Sequence, residues 1–107
     1  MSTSYSLFFH PDTDSDFDDA YTWYKAQESN VGERFAEQLS QKLDQILSSP
    51  ETYGVKSKRG YREAKLKDFP YSIVYKIHAA QNLIFISSIH HEKLHPNKKF
   101  RKQQKVK

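Results

Sequence analysis

Three histidines lie close together near the end of the chain, at positions 90, 91 and 95. An unperturbed imidazole titrates near ~6.5, so it can donate or accept a proton at neutral pH. Cleavage of RNA through its own 2′-hydroxyl needs an acid, a base and positive charge at the phosphate. The histidines could serve as the acid and base, and four nearby cations could supply the charge: Arg62, Lys65, Lys93 and Arg101.

Alternation along the last apolar segment predicts that at most one of His90 and His91 can face those cations. Four positions are expected to share one face of a strand: Leu83, Phe85, Ser87 and Ile89. His91 continues that face, whereas His90 falls on the opposite one, so at most one of them points into a groove shared with Arg62. Alternation alone does not choose between the two histidines. His91 is taken as the candidate because it matches the motif of a known family described below, and the candidate catalytic residues are therefore His91, Arg62 and Lys93. The alternative for each histidine is an exposed loop position without a catalytic role.

The composition limits other kinds of chemistry. The chain contains no cysteine, which excludes disulfides, thiolate metal sites and cysteine nucleophiles. His90, His91 and His95 have only Glu92 as a neighbouring carboxylate, so we predict no metal site and no cofactor.

The first half of the sequence predicts one strand and two helices. Residues 5–10 have strand character, and Pro11 ends them. Acidic and polar residues at 12–16 are N-cap candidates for a helix that runs to about residue 27. A second helix is predicted from Asn30, which has capping-box spacing to Glu33, to the break at residues 48–50. The short break between the helices favours an antiparallel helical hairpin.

The second half predicts three strands, at residues 61–66, 71–77 and 83–89, after a polar loop at 51–60. The last strand is the most apolar and is expected to be central. The order is β-α-α-β-β-β, which predicts a single α+β domain over residues 1–107, with the helical hairpin on one face of a mostly antiparallel four-stranded sheet. Residues 101–107 are expected to form a loose basic tail.

Acidic and basic residues are separated along the chain. Residues 1–52 hold ten Asp and Glu against three Lys and Arg, and residues 53–107 hold three against fourteen. Such separation within one domain predicts a basic face for a polyanion or an acidic protein. The candidate binding residues for a partner protein or nucleic acid are Lys56, Lys58, Arg59, Lys65, Lys98, Lys99, Arg101 and Lys102. A merely solvated charged surface is the alternative.

The sequence also gives expectations for its aromatic residues and its location. Trp23, Tyr24, Tyr71 and Tyr75 could stack on bases, but core packing explains Tyr24 and Tyr75 more simply. We find no signal-peptide pattern and no apolar run of the ~20 residues that span a bilayer, so a cytoplasmic protein that does not enter membranes is expected.

Four segments of the sequence can be compared with a known family: AYTWY at 20–24, GERF at 32–35, FPYSIVYKI at 69–77 and IHHEKLHP at 89–96. Together they resemble the RelE/ParE superfamily of bacterial toxins, which belong to type II toxin–antitoxin pairs, and the resemblance covers roughly residues 5–101. It implies a toxin neutralised in a hetero-oligomer by an antitoxin. It also implies one of two targets, messenger RNA on the ribosome or, in the ParE branch, DNA gyrase.

Two positions depart from the pattern of the ribonuclease members. Those proteins usually carry an arginine directly after the aromatic that begins the third strand, where this chain has Ser72. Many members read His-x-x-Arg-x-Pro after the last strand, and here the arginine is replaced by Leu94 between His91 and Pro96. The resemblance therefore favours a ParE-like toxin. A ribosome-dependent endoribonuclease and a non-toxic basic interaction module are the alternatives.

Overall fold

The predicted order of elements is confirmed in the computed structural model, which describes residues 4–94 and 100–101. The strands are β1 (Ser6–Phe9), β2 (Tyr61–Lys65), β3 (Tyr71–His78) and β4 (Leu83–His91), and the helices are α1 (Thr13–Gln27) and α2 (Ser29–Ser48). Short 3-10 turns at Pro50–Thr52 and Ala79–Gln81 complete the described elements. The fold is thus the predicted α+β arrangement.

The sheet has the strand order β1-β4-β3-β2. β1 pairs with β4 in parallel, and the other two pairings are antiparallel. β4 is central, as predicted from its apolar sequence, and its residues from Ile84 to His90 are all buried.

The two faces of the sheet differ in what covers them. On the helix face, side chains from β2, β3 and β4 pack under α1 and α2 around Phe35, Ile73 and Tyr75. On the opposite face, which we call the open face, Tyr61, Val74 and Phe85 form a smaller cluster with Phe8 and Phe100. This division follows from the alternation of side chains along β2 and β3, whose successive residues point to opposite faces.

A bulge in β4 changes the alternation in its last residues. Val74 pairs with Ser88 and the next residue, Tyr75, pairs with Ile86, so Ser87 is an extra residue in β4. Phe85 therefore packs on the open face and Ile89 in the core under the helices. The expectation that all four residues share one face is wrong, because the extra residue places Ile89 on the face opposite to that of Leu83 and Phe85.

The two helices form the predicted hairpin with a break of one residue, Glu28. The predicted capping box is not formed, because Asn30 already lies inside α2 and no side chain caps that helix. Glu33 instead accepts a hydrogen bond from the hydroxyl of Tyr21 on α1. Neither helix in the described part of the chain is long and apolar enough to cross a membrane.

The hairpin closes tightly at Gly32 near the start of α2. A Cβ added at Gly32 would lie 3.1 Å from both Cα and Cβ of Lys25 on α1. The helices can approach this closely because position 32 has no side chain.

We expect Gly32→Val to lower the free energy of unfolding by about 1–3 kcal/mol, since its side chain must displace the backbone of α1. Gly54→Val is the matched control, because a Cβ there meets no atom within 4 Å. Urea unfolding of both variants measures the difference. Equal stability of the two variants would show that α1 and α2 separate without cost.

Candidate functional site

The three candidate catalytic residues do not come together. The register aligns His91 with Tyr71 at one end of β3 and Arg62 with Tyr75, four residues further along that strand. At ~3.3 Å per residue this is about 13 Å along β3, in addition to the separation across strands. The prediction that His91 and Arg62 share a groove is therefore wrong, although both residues lie on the helix face.

Contacts of the candidate catalytic residues explain where each is held. The guanidinium of Arg62 donates a hydrogen bond to the backbone carbonyl of Tyr53, and so it supports the loop before β2. Lys93 follows β4 and is exposed, and its backbone N–H donates to Nδ1 of His91 at 3.0 Å. The His91 ring packs edge-on against Tyr71, with 4.9 Å between the ring centroids.

A polar cleft on the open face gathers a different set of side chains. It has a volume of about 540 Å³, and its polar and charged lining includes Lys56, Glu63, Lys65, Ser72, His90 and Glu92. Lys65 Nζ lies 2.7 Å from Glu92 Oε1. His90, and not the candidate His91, is thus the histidine beside the lysines of this cleft. Only the bulge at Ser87 puts it there, and the sequence carries no clear signal of that bulge.

The cleft contains acid–base groups and positive charge, but its histidine is buried, with 6% of its surface exposed. The Lys65–Glu92 ion pair also neutralises part of the charge at the rim. Within residues 4–94 and 100–101, no group of three or more acidic or histidine side chains could hold a metal ion.

The basic residues concentrate on and around the open face. Lys56 and Lys65 line the cleft, and Lys58 and Arg59 are exposed in the loop before β2. The Arg59 guanidinium lies 5.7 Å from the centre of the Tyr61 ring, and Lys76 Nζ lies 5.6 Å from it. The predicted binding residues Lys98, Lys99 and Lys102, together with His95, lie outside the described residues.

Arg101 is not part of a loose tail. Its guanidinium forms two hydrogen bonds with the Asp16 carboxylate, at 2.7 and 2.8 Å, and only 22% of its side chain and 15% of that of Asp16 are exposed. This carboxylate raises the pKa of Arg101. Phe100 packs on Tyr61, whose hydroxyl donates to the carbonyl of Arg101 at 2.7 Å. Residues 101–107 were expected to be loose. For Arg101, the first of them, this expectation is wrong, because Asp16 holds its guanidinium.

The Asp16–Arg101 pair covers an edge of β4 that β1 leaves open. β1 ends at Phe9, opposite Ile86, so the next backbone groups of β4 have no strand beside them. Asp16 Oδ2 accepts the N–H of Ile89 at 3.0 Å, and Arg101 Nη1 donates to the carbonyl of Ser87 at 3.3 Å. The ion pair thus provides hydrogen bonds that a fifth strand would otherwise provide.

We expect Asp16→Ala to lower the free energy of unfolding by about 2–3 kcal/mol, because it removes charged hydrogen bonds and leaves the Ile89 N–H without its acceptor. Asp18→Ala is the matched control, since Asp18 is exposed on the same helix. Urea unfolding compares the two. A smaller loss for Asp16→Ala than for Asp18→Ala would contradict this account of the edge.

Comparison with known proteins identifies the family. The sequence model described as "ParE toxin of type II toxin-antitoxin system, parDE" matches residues 7–94. The chain belongs to the ParE toxin family. It is accordingly a toxin of the type II toxin–antitoxin class, as its resemblance to the RelE/ParE superfamily implied, and the match favours the ParE-like branch.

Solved structures with the same fold include both branches of the superfamily. A chain of the chromosomal ParDE toxin–antitoxin system from P. aeruginosa has a TM-score of 0.71 and 18% identity, covering 84% of this chain and 98% of that one. The E. coli toxin RelE, in the free state and with two arginines replaced, has a TM-score of 0.58 and 23% identity, covering 84% and 85%. Among curated proteins, no sequence matches significantly. At these identities the structures establish the fold.

Proposed function

We propose that this toxin is held inactive by a cognate antitoxin and, once released, stops growth by binding a protein target, DNA gyrase, instead of cutting messenger RNA. The match to the ParE family over residues 7–94 supports the first part. The second part rests on one observation, the separation of His91 from Arg62 along β3.

The chemistry of RNA cleavage explains why this separation matters. A general acid or base must lie within hydrogen-bonding reach of the reacting atoms while a cation stabilises the phosphate. The guanidinium of Arg62 already donates a hydrogen bond to the Tyr53 carbonyl. The two positions at which ribonuclease members of the superfamily usually carry arginine hold Ser72 and Leu94 in this chain. A toxin that acts by binding needs none of these groups to converge.

The open-face cleft supports a second candidate function, an endoribonuclease. His90 could be its acid or base, and Lys56 and Lys65 could hold the phosphate, because all three line the same cleft. This candidate is weaker, because His90 is buried and Lys65 is paired with Glu92.

Induced expression of the wild type, His90→Ala and His91→Ala separates the two candidates. We expect all three proteins to stop growth, and transcripts to remain uncut within their codons while DNA damage accumulates. A positioned acid or base contributes ~10²–10⁴-fold to rate, so loss of a catalytic histidine would be obvious. Transcript end mapping and a DNA-cleavage assay with purified gyrase are the measurements.

Two results would contradict the gyrase proposal. Cuts within translated codons that disappear in His90→Ala would identify the open-face cleft as a nuclease site. Growth arrest with intact transcripts and no effect on gyrase would point to a different protein target. Circular dichroism of both histidine variants controls for misfolding.

Charge supports a docking surface for the antitoxin. Among the exposed residues of the helices, Asp and Glu outnumber Lys and Arg, whereas the loop before β2 presents Lys56, Lys58 and Arg59. An acidic antitoxin segment is therefore attracted to the side of the molecule that carries this loop and the open face. This agrees with the basic face predicted from the sequence.

We expect Lys56→Ser with Lys58→Ser to weaken antitoxin binding by about 2–5-fold per charge and to flatten its dependence on salt. The control is Lys25→Ser with Lys67→Ser, which removes the same charge from exposed positions outside this loop. Titrations at two ionic strengths use the antitoxin encoded by the neighbouring gene. Equal effects of the two double variants would show that the loop is not part of the docking surface.

A further inference from the structure

An aromatic cleft lies on the helix side of the molecule, away from the open face. It has a volume of about 500 Å³ and is lined by Asp19, Trp23, Tyr24, Pro70, Tyr71 and His91. α1 contributes the first three of these residues, and β3 and β4 contribute Tyr71 and His91. We call it the aromatic cleft, and the proposed toxin function uses none of its residues.

The rings of the aromatic cleft meet at steep angles. Trp23 and Tyr24 are 5.1 Å apart at 84°, Tyr24 and Tyr71 are 6.2 Å apart at 67°, and Tyr71 and His91 are 4.9 Å apart at 84°. Successive rings therefore form walls instead of a flat stack. Tyr24 also packs on Phe69, which fixes the inner wall, while Trp23 remains 59% exposed at the mouth.

The aromatic cleft carries negative charge. Within residues 4–94 and 100–101, no hydrogen bond or ion pair occupies the carboxylate of Asp19, which is exposed. Burial raises the pKa of the Tyr71 hydroxyl, and so do the charges of Asp19 and Asp16. The exposed carboxylate of Asp19 in the lining thus favours a cation and opposes a phosphate.

We propose that the aromatic cleft binds an arginine side chain of a partner protein. A guanidinium stacks on aromatic faces, is weakly hydrated, and can donate two hydrogen bonds to one carboxylate, here Asp19. A guanidinium already packs against a ring next to the cleft: that of Arg34 lies 5.9 Å from the centre of the Phe69 ring, which contacts Tyr24.

The open mouth of the cleft allows an arginine of another chain to enter. The mouth is at the surface beside Trp23, so a side chain can enter while its backbone stays outside. A nucleotide could also stack on these rings, but its phosphate would approach the carboxylate of Asp19. This inference is independent of the proposed toxin target and can hold whether or not gyrase is bound.

Trp23 is the only tryptophan of the chain, so its fluorescence reports directly on the cleft. The full chain is titrated at constant ionic strength with a capped glycine–serine peptide that has one central arginine. The matched peptide carries citrulline, which has nearly the same shape but no charge. We expect a saturable change with arginine and binding weaker by about 5–20-fold with citrulline.

Asp19→Asn should weaken arginine-peptide binding by about 2–5-fold, whereas Asp18→Asn, exposed on the same helix, should leave it unchanged. Equal binding of both peptides would overturn the proposal, because the cation would then contribute nothing. Tighter binding of uridine monophosphate than of the arginine peptide would also overturn it and would identify a nucleotide site instead.

Discussion

The extra residue at Ser87 in β4 determines what each surface of this toxin presents. A regular strand would have aimed His91 toward the open face and His90 toward the helices. With the bulge, His90 lies beside Lys65 and His91 becomes a wall of the aromatic cleft. One inserted residue therefore separates a basic polar surface from an acidic aromatic one on opposite sides of a single sheet.

The end of β1 imposes the second constraint, because a short edge strand leaves part of the central strand uncovered. Asp16 and Arg101 hydrogen-bond to that edge, so the start of α1 and the segment after β4 are held to the same backbone. Exposed strand edges invite pairing with other chains, and this ion pair blocks the position. The stability of the sheet and its protection from unwanted pairing thus depend on the same two side chains.

Much of the fold could be predicted from the sequence, because periodicity reports directly on burial. The strand character of four segments and the start and stop signals of two helices predicted the order of the elements, and the apolar run of β4 predicted the central strand. The candidate site could not be predicted in the same way. The side on which His90 and His91 lie depends on a bulge, and the anchoring of Arg101 depends on a carboxylate 85 residues away. Local patterns contain neither kind of information.

The layering of charge, with acidic helices over one face and basic residues around the other, gives the molecule a permanent electric dipole across the sheet. The field of a polyanion or an acidic chain exerts a torque on this dipole and turns the open face toward the partner before any atoms touch. The effect extends over roughly a Debye length, ~8 Å at physiological salt, and reduces the number of unproductive encounters. The placement of acidic helices on one side of the sheet and basic residues on the other thus orients the toxin as it approaches its partner.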